Sequence, residues 1–519
     1  MRGATVLCLV AMAVSLSAAS AALTPVPIEG KLLVTGVDDV GQLVSYYMDG
    51  SSDALVTTPT WFFKGNLSPD GTRVTYNVLT GDSWHANTGD VLVANLDSSE
   101  EANLTSSLGG VNCTPKWSPD GKTILFQHAE PSSGEMTCEA GWTMWLVEAD
   151  GSNLRQCGPA GLSLSGWPYL GWAPDGYHIT GISASGYFLT DITGSAVALF
   201  PALQGSANWS NDGSRLVCNT MVPGTVDGAP GVWRRLSLAD ADGSNPQVLV
   251  EQFLKDSDVE AHIALYNPTG YDWVSGIRAE AGPIVTRWSP MGDQVAFVAA
   301  LPFDPDGPWV LYQREVWLYD LQTQHLAELT QDSTCEDYLS WAGPNTTATH
   351  PTVTVYDNSV TFTQVDEDGW TYIVRRDGVP ALPALYLPVG NTYEIRTTAV
   401  TTGPATVAMT CDTGDLPAAA MGHVDLLRYD EGRAQWLDIT SSRDTSTGVV
   451  QGQTETLGLM RLAWPLPESD FSDVSDSPTD PFWALWEIQA ACDAGIVQGY
   501  PGGTYHPAEA VSRAQMAVY

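Results

Sequence analysis

Positive charge is what this chain lacks most. Its 519 residues carry 22 Lys and Arg against 60 Asp and Glu, a formal net charge of −38, and only five of the basic residues are lysines. A surface so negative repels phosphate backbones and anionic lipid, which excludes general nucleic-acid binding. Long apolar runs are also missing. The run over residues 4–16 falls short of the roughly 18–20 residues that cross a bilayer, and no later stretch reaches that length, so no transmembrane segment is expected. Disorder is excluded, because 44% of residues are hydrophobic and 19 are Trp. Forty-nine Gly and 33 Pro point to a turn-rich, mainly β protein.

The first 21 residues read as an export signal. Arg2 precedes the apolar run, and Ser17-Ala18-Ala19-Ser20-Ala21-Ala22 supplies small residues at cleavage-site spacing. Export permits disulfides, but Cys113, Cys138, Cys157, Cys218, Cys335, Cys411 and Cys492 are scattered and form no C-x-x-C metal pair. Cys113, Cys138 and Cys157 are near enough in sequence for one bridge; buried free thiols are the alternative.

Repetition dominates residues 28–345. Leu67-Ser68-Pro69-Asp70-Gly71 recurs as Trp117-Ser118-Pro119-Asp120-Gly121, Trp172-Ala173-Pro174-Asp175-Gly176, Trp209-Ser210-Asn211-Asp212-Gly213 and Trp288-Ser289-Pro290-Met291-Gly292, with Trp341-Ala342-Gly343-Pro344 a degenerate sixth copy. Pro sets φ at the first corner, Asp bonds back to the backbone, and Gly takes the positive φ that closes the hairpin. Met291 breaks the pattern, so the fifth turn is expected to be less regular. Apolar residues at period two follow each turn, hence strands. Two hairpins per repeat of about 40–50 residues make a β-propeller. Six blades are expected, with residues 31–57 completing the last blade to close the ring and residues 246–283 forming an insertion.

These W-S-P-D-G hairpins resemble the TolB-like (WD-type) β-propeller, the blade type also seen in prolyl-oligopeptidase peptidases. The resemblance implies a fold and leaves the activity open. Residues 345–349 read as a polar linker, and 352–465 as short strands. There Tyr393-Glu394-Ile395-Arg396-Thr397-Thr398, Leu426-Leu427-Arg428-Tyr429 and Trp436-Leu437-Asp438-Ile439-Thr440 resemble a β-sandwich module of bacterial surface proteins. That family often has a cysteine pair where this chain has Ala408 and Gln451.

Residues 466–481 are acidic and rich in Ser, Asp and Pro, as a linker is, and 482–519 follow as a short helical segment. Phe471-Ser472-Asp473-Val474, Trp483-Ala484, Ala494-Gly495-Ile496-Val497-Gln498-Gly499-Tyr500-Pro501-Gly502-Gly503-Thr504-Tyr505 and Val511-Ser512-Arg513-Ala514-Gln515 resemble an S-layer homology (SLH) repeat. The resemblance implies that Trp483, Gly499, Gly503 and Arg513 bind cell-wall glycan, since the planar fork of an Arg suits a carboxylate-bearing sugar. Intrinsic packing of one helical hairpin is the competing role for these four. Gly502, Ser512 and Gln515 depart from the family's Asp, Thr and Glu, and the chain stops at Tyr519, inside the expected second helix, as a sequence cut short would.

Catalytic signatures are absent: no G-x-S-x-G, H-E-x-x-H, Walker loop or G-x-G-x-x-G occurs. The eight His residues do not recur at equivalent blade positions, as a propeller lyase with a metal in its channel would require. Asp304-Pro305-Asp306-Gly307 and Asp366-Glu367-Asp368-Gly369 lack the loop of a calcium hand. Trp84, Trp273 and Trp309 offer rings to sugars, or pack the insertions onto the propeller face. No catalytic residue, metal or cofactor is expected. The chain reads as a non-enzymatic exported bacterial envelope protein. Its propeller would meet a protein, peptide or glycan, and its SLH segment cell-wall polysaccharide or the S-layer. The alternatives are a propeller-fold polysaccharide lyase or hydrolase, and a periplasmic scaffold.

Overall fold

The computed structural model describes residues 31–37, 42–47, 52–57, 65–82, 85–96, 99–130, 141–159, 162, 164, 170–183, 186–194, 197–200, 207–266, 284–301, 314–330, 335–411, 420–467, 469–474, 488–489, 491–492, 497 and 502–508. The chain is mainly β and divides into two compact units, Met1–Asn345 and Thr346–Tyr519. Residues 1–21 lie outside the described residues.

The first unit is a six-bladed propeller of antiparallel four-stranded sheets. Blade one holds Asn66–Leu67, Arg73–Asp82, His85–Asn95 and Ala102–Asn103; blade two holds Val111–Trp117, Thr123–Ala129, Thr143–Glu148 and Arg155–Cys157. A single parallel bridge, Gly89 to Val111, joins their edges. Blade three holds Gly171–Trp172, His178–Ser183, Gly186–Asp191 and Val197–Phe200, and blade four Ala207–Trp209, Arg215–Val226, Ala229–Asp240 and Gln247–Lys255. Blade five is built from Ile284–Trp288, Gln294–Ala299, Glu315–Asp320 and His325–Glu328. In blade six the innermost strand, Cys335–Ala342, pairs with Lys31–Val37, which is followed by Gln42–Tyr47 and Ser52–Thr57. The two ends of the unit therefore share one sheet, and its ring has no free seam. Gln247–Lys255 falls within the stretch expected as an insertion; it is the outer strand of blade four, followed by a helix over Asp256–Tyr266.

Each blade interface has its own apolar cluster, and the clusters run round the ring. Leu33 and Ala342 meet Leu67, Val74 and Tyr76 between blades six and one. Val91 and Val93 meet Trp117 and Phe126 between one and two. Leu125 and Leu146 meet Ile179 and Phe188; Tyr187 meets Leu216 and Cys218; Val217 and Leu236 meet Trp288 and Phe297; and Val298 and Leu318 meet Leu32 and Leu339. Burying one such side chain stabilises by about 1.5–3 kcal/mol, so closing the ring, which secures a sixth interface, matters to the whole unit. Cys113 and Cys157 are both buried in one of these clusters and no bridge joins those two; Cys138 lies outside the described residues.

The repeated turn performs the same chemistry at each copy. Gly71, Gly121, Gly176, Gly213 and Gly292 all have φ between 63° and 81°. Each donates its N–H to the carbonyl of the residue three before it, at 2.8–3.1 Å. Ser68, Ser118 and Ser210 donate their hydroxyls to Asp70, Asp120 and Asp212 at 2.5–2.6 Å. The same hydroxyls accept from the backbone N–H five residues on. Met291 does not loosen the fifth turn. Asp293 takes over the missing carboxylate's role, accepting from Ser289 at 2.8 Å. In blade three, Ala173 has no hydroxyl to offer. Asp175 there accepts from the N–H of His178 directly and holds the His178 ring nitrogen Nδ1 at 2.5 Å.

The Trp before the turn does more than fill space. Trp117, Trp172 and Trp288 donate their indole N–H to the carbonyls of Asn66, Lys116 and Asn208, at 3.0, 3.2 and 3.1 Å. In every case the acceptor lies on the innermost strand of the preceding blade, one residue before that blade's own turn residue. Arg73 adds a second tie from blade one to blade two: its guanidinium lies 4.6 Å from the Trp117 ring and bonds Gly121 O at 3.1 Å.

The second unit contains two five-stranded antiparallel sheets. One runs Thr352–Val355, Asn358–Glu367, Val400–Thr410, Val449–Thr454, Thr440–Asp444; the other Thr371–Arg376, Tyr386–Thr397, Gly458–Pro465, Asp425–Asp430, Gln435–Asp438. Alternating residues of both, among them Val360, Val407, Ile373, Ile395, Met460 and Leu462, make one core. Ala408 and Gln451 are direct partners across adjacent strands. The stretch expected as a polar linker is stitched to this unit: Thr346 exchanges backbone hydrogen bonds with Gly369 and its hydroxyl donates to Thr371 at 2.6 Å.

Candidate functional site

Of the stretch 466–481 expected as a linker, the described residues up to Val474 are packed rather than free. Leu466, Phe471 and Val474 are buried and belong to the same apolar cluster as the sheets, with Ile488 and the half-buried Cys492 and Tyr505. Phe471 packs on Tyr505 with ring centroids 5.3 Å apart. Ser469 accepts the N–H of Phe471 at 3.1 Å, which fixes the entry of the segment.

The polar residues of the Phe471-Ser472-Asp473-Val474 run then clasp a loop thirty residues downstream. The N–H and the hydroxyl of Ser472 both donate to Gly503 O, at 2.8 and 3.0 Å. The two carboxylate oxygens of Asp473 divide the next two donors, Tyr505 N–H at 2.6 Å and His506 N–H at 2.7 Å. Burial pushes the Asp473 carboxyl up, but those two N–H groups and nearby His506 outweigh it and hold the group below its ordinary value. Gly502 and Gly503 have φ of 110° and 75°, conformations a side chain would strain. Across the segment, Gln489 and Asp470 make a reciprocal pair at 2.8 and 3.2 Å.

Of the four candidate glycan ligands, only Gly503 lies among the described residues; Trp483, Gly499 and Arg513 lie outside them. The carbonyl of Gly503 is occupied by Ser472, so its visible task is to shape the loop. Asp473, the residue that organises this loop, is missing from the four. Its signal was in the sequence, as a carboxylate at the centre of the Phe-Ser-Asp-Val run.

The propeller's innermost strands form a second surface to weigh. Side chains knit neighbouring strands there: Asn66 donates to Ser340 at 2.9 Å, Asn208 to Thr286 at 2.8 Å, and Arg287 to Asn208 at 3.2 Å. Thr114 and Val285 stand three residues before Trp117 and Trp288 and take φ of 53° and 40°, each where the strand bulges. Positive φ at a β-branched residue is strained, and strain of this kind clusters at working surfaces. His128 is buried against Asn112, and His178 serves its turn. Among the described residues no three His, Cys, Asp or Glu side chains gather as metal ligands. The Asp366 carboxylate is taken by Gln364 and Thr402. Trp84, Trp273, Trp309 and the 304–307 cluster lie outside the described residues.

Residues 470–517 match the S-layer homology domain family. No curated protein matches the chain. Among solved structures, the chain is similar to a TolB protein from Agrobacterium tumefaciens, at 16% identity over 60% of this chain and 91% of that one, with a TM-score of 0.38. It is also similar to the oligogalacturonate lyase of Vibrio parahaemolyticus (16% identity, 55% and 73% covered, TM-score 0.34). A third is the β-propeller domain of the Trilobed protease from Pyrococcus furiosus (11% identity, 67% and 93% covered, TM-score 0.28).

Proposed function

We propose that this is a non-enzymatic exported protein of the bacterial cell envelope. Its SLH segment, with Trp483, Gly499, Gly503 and Arg513 facing the glycan, attaches it to cell-wall polysaccharide or the S-layer. Its propeller, at the polar and strained innermost strands, receives a protein, peptide or glycan. The observation that carries the reading is the family match over residues 470–517, which includes the Asp473 clasp. No catalytic residue is assigned, because the buried histidines and carboxylates described above are each engaged in holding a turn or a strand.

The experiment is retention on peptidoglycan sacculi, with and without their bound polysaccharide. The single repeat is expected to be held weakly, and a chain carrying two further repeats firmly. In that longer chain Arg513→Ala should cost about 1.5–3 kcal/mol of binding, the range of a charge-assisted bond. Arg513→Lys should restore only part, because an ammonium cannot fork across a carboxylate. Equal retention of wild type and Arg513→Ala would overturn the assigned role of Arg513, and retention indifferent to the polysaccharide would overturn the anchor.

A further inference from the structure

The hairpin of blade four outruns the ring. Arg215–Val226 and Ala229–Asp240 have 12 residues each, against 6 in each of the two middle strands of blade three, and Gln247–Lys255 follows them outward. The helix Asp256–Tyr266 packs back against the two outer strands of this sheet. Arg234 and Leu254, which share one face of those strands, are 5% and 1% exposed, so the helix covers that face. The opposite face carries three transverse rows, because direct cross-strand partners point the same way. Its middle row is Val222, Trp233 and Phe253. Gly224, Gly231 and Lys255 form the row on one side, and Thr220, Arg235 and Glu251 the row on the other.

The glycines let the rings lie down. A Cβ on Gly224 would stand 2.8 Å from the Trp233 ring, and one on Gly231 would stand 2.7 Å from the Phe253 ring, so both rings lean over bare backbone. Their centroids are 5.0 Å apart, and with Val222, which is 38% exposed, they make a half-exposed apolar plate. The polar row borders it. The Arg235 guanidinium sits 5.7 Å from the Trp233 ring, and its Nε donates to Glu251 Oε2 at 2.9 Å. That bond uses one nitrogen and one oxygen. Among the described residues the terminal nitrogens of Arg235, the second oxygen of Glu251, Trp233 Nε1 and the Thr220 hydroxyl make no hydrogen bond, and none of them is shut away from water. Charge is balanced here: Glu251 offsets Arg235, and Asp256 and Asp258 open the helix directly after Lys255.

We propose that this face of the blade-four hairpin binds a neutral glycan, with a sugar ring stacked on Trp233 and Phe253 and its hydroxyls taken by Arg235, Glu251 and Thr220. The apolar side of a sugar ring suits an aromatic face. A donor and an acceptor held side by side suit vicinal hydroxyls, each of which gives one hydrogen bond and accepts others. An acidic polymer would meet Glu251 and the field of a chain with a net charge of −38. A protein partner would need about 800 Å² on this side, far more than two half-exposed rings and a valine supply.

The test is calorimetric titration of the full chain with cellotetraose and with tetra-N-acetylchitotetraose, two neutral glycans of different substitution, and with trigalacturonate as the acidic control. At least one neutral glycan should bind and trigalacturonate should not. Trp233→Leu keeps an apolar cover over the glycines but removes the ring, and should weaken binding about tenfold. Glu251→Gln keeps the shape and removes the charged acceptor, and should also weaken it about tenfold. Val400→Thr, at an exposed apolar residue of the second unit, should change nothing. No binding of either neutral glycan at millimolar concentration, wild-type affinity in Trp233→Leu or in Glu251→Gln, or an equal loss in Val400→Thr would overturn the site. So would equal binding of trigalacturonate, or a dimer of the full chain that Trp233→Leu dissolves, which would make the plate a contact between copies. The hairpin is distinct from the innermost strands and the SLH segment, and no readout uses sacculi, so failure here leaves the anchoring reading untouched, and the reverse.

Discussion

Replacing Trp117 by Phe removes three things that the structure lets one weigh. The indole donor to Asn66 O at 3.0 Å is lost, worth about 1 kcal/mol for a buried bond. The smaller ring leaves space in a cluster with Val93, Ile124 and Phe126, about 1 kcal/mol more for an incompletely refilled void. The Arg73 guanidinium, 4.6 Å from the ring, keeps only part of its attraction, roughly another 0.5 kcal/mol. The sum is about 2–3 kcal/mol. Trp172→Phe loses a longer bond, 3.2 Å, from a half-buried ring with no arginine over it among the described residues, and should cost about 1 kcal/mol. The assay is urea unfolding of the full chain followed by near-ultraviolet circular dichroism, comparing midpoints between variants because several units unfold in one chain. An Arg73→Met/Trp117→Phe double-mutant cycle should show a coupling of about 0.5–1 kcal/mol. A neutral Trp117→Phe, or equal costs at both tryptophans, would refute the idea that these indoles tie their blades to the ones before them.

Removing residues 31–57 should open blade six, expose the edge of Cys335–Ala342, and give aggregation or a loss of cooperative melting; a monomer with an unchanged melt would contradict the closure. Gly121→Val and Gly292→Val should each cost a few kcal/mol in thermal melts, since both glycines are left-handed and both close the same turn. At Asp70 and Asp212, burial pushes the carboxyls up, but Ser hydroxyls and backbone N–H groups outweigh it and depress them. A depressed folded value means their contribution is full above an ordinary carboxyl value near 4 and lost as pH falls through the lower folded one. Melting temperature measured from pH 7 to 2.5 should therefore drop below about pH 4, and Asp70→Asn with Asp212→Asn should flatten that drop.

The propeller was legible because each turn is built from local chemistry. Pro, Asp and Gly at fixed offsets fix a hairpin with no need of distant partners, and the alternation in Gln294–Ala299 or Thr123–Ala129 names the strand that follows. Where one turn residue is replaced, the compensation is harder to read. Asp293 substituting for Met291, and His178 bonding where Ala173 cannot, depend on which side chain reaches the gap. The ties between blades were not legible, since Trp117 finds its acceptor 51 residues back along the chain. In the second unit, contacts made by the stretches expected as linkers were hidden for a similar reason. Thr346 and Phe471 sit in polar surroundings in sequence, yet one pairs with Gly369 and the other packs on Tyr505.

The pairing of Lys31–Val37 with Cys335–Ala342 also dictates an order of events during synthesis. The first strand leaves the ribosome with its sheet edge open, and its partner is made roughly 300 residues later, tens of seconds at about 5–20 residues per second. Until then the four interfaces among blades one to five can form, and the two made by blade six, which draw on Leu339 and Ala342, cannot be completed, so the nascent chain is an open arc with a sticky strand at its leading end. Such long-range pairing slows the final step, because loop-closure entropy must be overcome before the contact returns anything. The dangerous interval for this protein is thus the wait for residue 342, and a chaperone that shields its first strand would matter more than one that acts on any later blade.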